Sequence, residues 1–275
     1  LLIWIDKKNK LSTPRVSSKN IRPLPKSPTV LSDSISDVLA KVIKKISVGS
    51  KIFDICIFGD NLLLEELAKV YNKKQVFKGI AFPLVYPSTK SAAITANARV
   101  TTAIKEGDLV KIELGAHVDG FSAFVAHTIV VQSDAKAPIT GRKADVILAA
   151  YKAIQASLRL LKPGNFNNQV TDAIRRVCES YEVSPLEGVL SHDLKKHLID
   201  GNKVIINRET FDQKVDDQEF QVNDVFALEV YVSSGEGKTK EVIHFTNSVR
   251  TQNQRLQAIS RQNLQSQDQA KQTIL

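Results

Sequence analysis

The sequence predicts a globular chain that mixes helices with an antiparallel β-hairpin, and three observations carry that expectation. Apolar residues recur at helical spacing in two stretches, 34–48 and 52–71. A run of β-branched and aromatic residues between Val110 and Val131 is broken by an Asp-Gly pair. Two further helical stretches then fill 141–161 and 168–181. With 275 residues, 43% of them apolar, the chain can bury one large core or two small ones.

In the first helix Val38, Leu39, Val42, Ile43 and Ile46 form the apolar stripe, Ser34 and Ser36 offer caps, and Gly49 stops it. The second sets Ile55, Leu62, Leu63, Leu67 and Val70 against Glu65, Glu66 and Lys69. In the hairpin, Val110, Ile112 and Leu114 face Phe124, Val125 and Ile129 across a turn read as His117-Val118-Asp119-Gly120, whose last two residues tolerate the positive φ of a tight reversal. The third helix starts behind Thr140, taken as its N-cap, and stops at Pro163-Gly164. A polar stretch at 212–218 precedes a strand from Val225 to Val232, which runs into Ser233-Ser234-Gly235-Glu236-Gly237-Lys238.

Charge is unevenly placed. The chain holds 38 Lys+Arg against 29 Asp+Glu, a net +9, which favours phosphate backbones or acidic surfaces as partners. Seven of the cations fall in the first thirty residues with Asp6 as the single acid, so residues 1–31 read as a flexible basic arm, 32–245 as the folded domain and 246–275 as a polar tail. Cys56 and Cys178 lack any paired metal-site or disulfide spacing and are expected to be buried thiols in a reducing compartment. No apolar run approaches the ~18 residues a bilayer requires, so a soluble, intracellular chain is expected.

Several ordered motifs carry a family resemblance. The segment from Lys105 to Gly120, Gly79-Ile80-Ala81-Phe82-Pro83, Thr140-Gly141-Arg142-Lys143-Ala144-Asp145-Val146, Gly188-Val189-Leu190-Ser191-His192 and Val232 to Lys238 occur in the order and at the distances of methionine aminopeptidase-like proteins. The chain most resembles their proliferation-associated, ErbB-receptor-binding branch. That resemblance implies the pita-bread fold, an α+β arrangement of two pseudo-symmetric halves, here expected to lack its C-terminal part. Active members hold two divalent ions on five side chains in the central cleft, and the ions share the attacking hydroxide.

Position by position, the resemblance places Glu113 at the first carboxylate, where active enzymes have Asp. The bridging carboxylate position holds Phe124, a ring that cannot ligate. His192 matches the histidine ligand and Glu229 the third carboxylate, while no match for the fifth ligand is found beyond residue 245 and Ala92-Ala93-Ile94-Thr95 stands where a substrate-orienting histidine is expected. No resident cofactor is expected, because a dinuclear site needs its bridging anion to offset ion–ion repulsion. His117, His127 and His197 are expected to be structural or solvated.

The reading is a non-catalytic homologue that binds ribosomes, structured RNA or regulatory proteins, as a monomer without membrane contact, in the cytoplasm and also the nucleus or nucleolus. Lys41, Lys44, Lys45, Lys73, Lys74 and Lys78 cluster at helix ends and are the candidate RNA-binding residues; the plain alternative is that they serve helix dipoles and solubility. Two rivals stay open at this level: an active metallo-aminopeptidase with substituted ligands that removes N-terminal Met, and, since the chain has no methionine, a truncated or mispredicted product without independent function.

Overall fold

A computed structural model describes residues 2–4, 28–70, 76–85, 103–134 and 136–239. Helix α1 (Pro28–Lys45) buries Leu31, Ile35, Val38 and Val42 along one stripe. It starts ahead of Ser34, within the expected arm, because proline is tolerated in a first turn whose N–H groups have no helical partner. Helix α2 (Ile52–Lys69) buries Ile55, Cys56, Leu63 and Leu67. After its C-cap Val70, the Lys78 ammonium donates to the Val70 carbonyl at 2.6 Å, satisfying one of the helix's terminal acceptors.

Both helices cover a three-stranded antiparallel sheet, β2 (Lys78–Val85), β3 (Leu109–Val118) and β4 (Phe121–Val130), in the order β2-β3-β4. The hairpin turn is two residues long. Asp119 at φ 53° and Gly120 at φ 81° make the reversal, while His117 and Val118, expected in the turn, extend β3 instead. Two positive φ angles match the twist of the flanking strands, so the turn tightens to its Asp-Gly pair. The sequence pattern does not announce strand β2, whose pairing to β3 slips between Ile80 and Phe82 and again before Val85.

The second half carries helices α3 (Arg142–Leu160) and α4 (Asn167–Ser180). Its main sheet consists of β6 (Leu190–Asp193), β7 (Val204–Ile206), β8 (Val225–Ala227) and β1 (Leu2–Trp4) in the order β1-β8-β6-β7. A two-stranded pair, β5 (Ser184–Pro185) with β9 (Val232–Ser233), lies apart from it. Three expectations are corrected here. The N-cap of α3 is Gly141 at φ 66°, a conformation threonine adopts only under strain, so Thr140 does not fill it. Residues 2–4, a β-prone Leu-Ile-Trp triplet expected in a flexible arm, pair antiparallel with β8. The strand expected over Val225 to Val232 is split, because the Ser191 hydroxyl accepts the Glu229 N–H at 2.9 Å and so takes a ladder position.

Sheet edge β7 is closed by side chains of α4. Asn167 donates to the Val204 carbonyl at 2.9 Å and Thr171 to the Ile206 carbonyl at 2.7 Å, so the edge acceptors have partners away from solvent. Each half owns a core. One joins α1 and α2 to the hairpin through Val38, Leu63, Val110, Ile112 and Leu114; the other joins α3 and α4 to β7 and β8 through Ala153, Ile174, Ile205, Phe220 and Phe226. A small third cluster of Ala81, Phe124, Leu194 and Ala227 spans the junction between them. The expected tail at 246–275 lies outside the described residues.

Candidate active-site cleft

Register fixes the hairpin side of the cleft. Glu113 pairs with Ala126 and Gly115 with Phe124, so Glu113, Gly115 and Phe124 share one face of the β3–β4 ribbon. The Phe124 ring lies directly over Gly115, where a Cβ would overlap it and press on the Ala123 carbonyl. Glycine at 115 is therefore a steric requirement of the ring opposite. Phe124 is only 8% exposed. Burial, reinforced by the charge of Glu229, pushes the Glu113 carboxyl up to about 7.

The second half supplies the other wall. His192 on β6 places Nε2 3.6 Å from Glu229 Oε1, and its Nδ1 stands 3.9 Å from Asp200 Oδ1 without a hydrogen-bond partner. Burial lowers the His192 pKa, but the nearby carboxylate of Glu229, with Asp200 beyond, outweighs it and the net shift is upward. Tyr231 has its hydroxyl pushed up by burial and by Glu113 and Glu229. Sequence reasoning missed Asp200 and Tyr231. Asp200 reaches the cleft because the buried Asp193 carboxylate accepts the Lys203 N–H at 2.9 Å and pairs with Lys195 at 3.0 Å, folding the intervening loop back on β6. Gly201 permits the close approach, since a Cβ there would collide with Asp193.

The four positions named from the sequence are thus brought to one cleft, but they do not fit a pair of divalent ions. Such ions require convergent oxygen and nitrogen donors with a bridging anion between them. The position that the resemblance assigns to the bridging carboxylate holds a phenyl ring packed against Ala81, Leu194 and Ala227. Among the described residues no three His, Cys, Asp or Glu side chains are arranged to hold a metal ion.

The candidate lysines divide. Lys44 and Lys45 end α1, with Lys45 Nζ 5.9 Å from the Phe58 ring centre. Lys41 pairs with Glu66 at 3.3 Å, and Lys78 caps α2, so both are engaged within the fold. Lys73 and Lys74 lie outside the described residues, as do Ala92 to Thr95. His117 is buried beside Phe77, with ring centres 4.9 Å apart and its pKa lowered by burial; His197 adopts φ 63° and packs on Gly120. Burial pushes the Cys56 thiol up to about 12 and Cys178 up to about 11, so both stay protonated and unreactive near neutrality.

Two halves meeting at a cleft that carries Glu113, His192 and Glu229 agree with the family model for metallopeptidase family M24, which matches residues 33–253. The chain belongs to that family and has its pita-bread fold. Within it, the similarity runs to the proliferation-associated and ErbB-3-binding proteins, as the ordered motifs indicate. The chain is 39% identical to proliferation-associated protein A of Dictyostelium discoideum over 208 residues, covering 75% of this chain and 54% of that one. It is 41% identical to the ErbB-3 binding protein 1 of Arabidopsis thaliana, with 75% and 53% covered, and 42% identical to the curved DNA-binding protein of Schizosaccharomyces pombe, with 74% and 55% covered. The chain therefore spans about half the length of these curated relatives. Among solved structures a thermophilic Arx1 superposes with a TM-score of 0.71 at 31% identity, over 78% of this chain and 64% of that one. The first three are named for proliferation or binding, whereas the arx1 protein of Schizosaccharomyces pombe, 28% identical over 60% of this chain, is named a probable metalloprotease.

Proposed function

We propose that the chain is a non-catalytic member of its family, a binding protein that engages ribosomes, structured RNA or regulatory proteins and turns over no peptide. The observation that carries this reading is Phe124, buried in an apolar junction at the position to which the resemblance assigns a bridging carboxylate. Without that anion two close cations would repel without compensation. Names of relatives add support, since they include a DNA-binding and a receptor-binding protein. Nucleic-acid contact is assigned to the end of α1 at Lys44 and Lys45 together with Lys73 and Lys74, within a chain of net charge +9. No helix among the described residues is long and apolar enough to cross a membrane. We assign the protein to the cytoplasm and the nucleus or nucleolus, as a monomer.

The deciding experiment is metal content and aminopeptidase activity on one sample, titrated with cobalt, manganese and zinc against a Met-leading tripeptide. No stoichiometric metal and no hydrolysis are expected; two bound ions with turnover would make the chain an enzyme with substituted ligands. RNA or ribosome affinity should fall with rising salt. Neutralising Lys44, Lys45, Lys73 and Lys74 together should reduce the logarithmic salt slope by about 3, at ~0.7–0.9 for each phosphate that is no longer neutralised. A slope unchanged by that substitution would remove the basic face from the reading.

A further inference from the structure

The three-stranded sheet of the first half treats its two edges differently. Strand β2 carries Lys78 and Pro83 and slips register twice, and charge, proline and bulges are the means by which proteins keep an edge from pairing with another chain. Strand β4 has none of them. Its sequence, Phe121–Val130, includes no Lys, Arg, Asp, Glu or Pro, and its ladder with β3 is unbroken. Register identifies the open groups. The two-residue turn makes Val118 and Phe121 a hydrogen-bonded pair, so Ala126, Thr128 and Val130 fall at non-bonded positions, opposite Glu113, Lys111 and Leu109, and aim their N–H and C=O groups away from β3. Among the described residues no backbone bond from outside the ladder reaches these three. Ala126 and His127 are exposed, so this stretch of the edge meets solvent. Residues 2–4 pair with β8 and approach β4 but form no ladder with it.

A helix overlooks the same edge. Helix α2 lies over β2 and α1 over β4. Lys41 on α1 reaches Glu66 on α2, which marks the flank of α1 that faces its neighbour. Leu39 and Ile43 stand two residues to either side of Lys41, so they occupy the opposite flank, on the outer side of β4. Both are only partly buried against the first core, as are Val125 and Ile129 on the helix face of β4. The core of the first half thus ends in an apolar ledge beside an unpaired backbone.

We propose that β4 receives an extended segment of a partner protein, which pairs with Ala126, Thr128 and Val130 and sets an apolar side chain at every second position against Leu39, Ile43, Val125 and Ile129. Donors and acceptors alternating along a strand edge are matched by another extended backbone. A nucleic acid strand would bring phosphate acceptors for the N–H groups and few donors for the carbonyls. The edge carries no charge to attract a charged segment, and the ledge above it is apolar, so the paired stretch of the partner is uncharged. The Leu-Ile-Trp triplet seated on β8 shows the same kind of segment on a neighbouring edge of this molecule. The site uses the backbone of β4 and one flank of α1, not the side chains of the central cleft, so the proposal stands whichever way the metal assay falls.

The test starts with amide hydrogen exchange on the dilute full chain. Ala126, Thr128 and Val130 should exchange quickly there, and Val125 and His127, whose amides bond to β3, slowly. A fluorescent, end-blocked octapeptide that alternates threonine with isoleucine should slow the three open amides. By anisotropy, the same peptide N-methylated at two adjacent central residues, which removes a donor from each of its edges, should bind about ten-fold more weakly. Ala126→Pro, which deletes an outward N–H and leaves the β3 ladder intact, should weaken binding several-fold. Ile43→Ser should do the same, while Ile57→Ser, on the exposed face of α2, should leave affinity unchanged. Slow exchange of Ala126 and Thr128 in the dilute chain would mean that a segment of this chain already covers the edge, and slowing that grows with protein concentration would assign the edge to a second copy; either result overturns the proposal. Equal affinity for the N-methylated peptide, or equal losses from Ile43→Ser and Ile57→Ser, would overturn it as well.

Discussion

The two walls of the central cleft differ in character. On the second half, His192, Glu229, Asp200 and Tyr231 keep a polar, mutually charged arrangement, with the Glu229 backbone held by Ser191 and the Asp200 loop held by Asp193. On the hairpin side one residue changes the character of the wall, since Phe124 turns the face it shares with Glu113 into part of an apolar seam with Ala81, Leu194 and Ala227. One wall of the cleft is thus polar and preorganised while the other is partly apolar. The halves meet there through apolar packing.

Substitutions at the seam test that contrast most strongly. Phe124→Asp should destabilise the fold by more than about 4 kcal/mol, because it buries an unpaired carboxylate near Glu113 and Glu229 as well as opening a cavity. Phe124→Ala, which opens the cavity alone, should cost about 3 kcal/mol in urea unfolding. If Phe124→Asp were the milder of the two, the wall would be polar in solution and the seam an incorrect description.

Next in size is Gly115→Ala, expected to cost about 2 kcal/mol through its overlap with the Phe124 ring. In a Phe124→Ala background more than half of that cost should vanish, leaving the pressure on the Ala123 carbonyl; additive costs would show that the ring and the glycine are not coupled.

A pH dependence is expected at Glu113. Its folded-state pKa, about 7, lies above the ordinary 4.5, so the fold binds this proton more tightly than the unfolded chain does. Its stabilising contribution is complete below about pH 4.5 and is lost as pH rises through 7. Glu113→Gln should leave stability unchanged at pH 4 and raise it at pH 8. Identical pH profiles for the two proteins would place Glu113 in a more open setting than the second wall implies.

How legible each region was in the sequence follows from how local its cause is. Helices α1 to α4 and the β3–β4 hairpin were readable because an apolar stripe of period 3.6 or an Asp-Gly pair is written within one segment. Strand β2, the split near Glu229 and the pairing of residues 2–4 with β8 were not, because each depends on a distant partner: β3 with two register slips, the Ser191 hydroxyl, and the open edge of β8. The cleft behaves alike. Glu113, Phe124, His192 and Glu229 could be placed by motif order, whereas Asp200 and Tyr231 enter only through a folded loop and a strand break that no pattern announces. Lys41 and Lys78 looked like free surface charge in sequence, and their partners, Glu66 and the Val70 carbonyl, appear only once helices and strands are packed.

The seam at Phe124 also sets how the two halves respond to temperature. Coordination bonds between halves would be undone by chelators and indifferent to mild cold. Apolar packing behaves oppositely, since its driving force near room temperature is entropic and fades on cooling. The halves should therefore loosen from one another first at low temperature, each keeping its own core, while EDTA leaves the melting curve where it was.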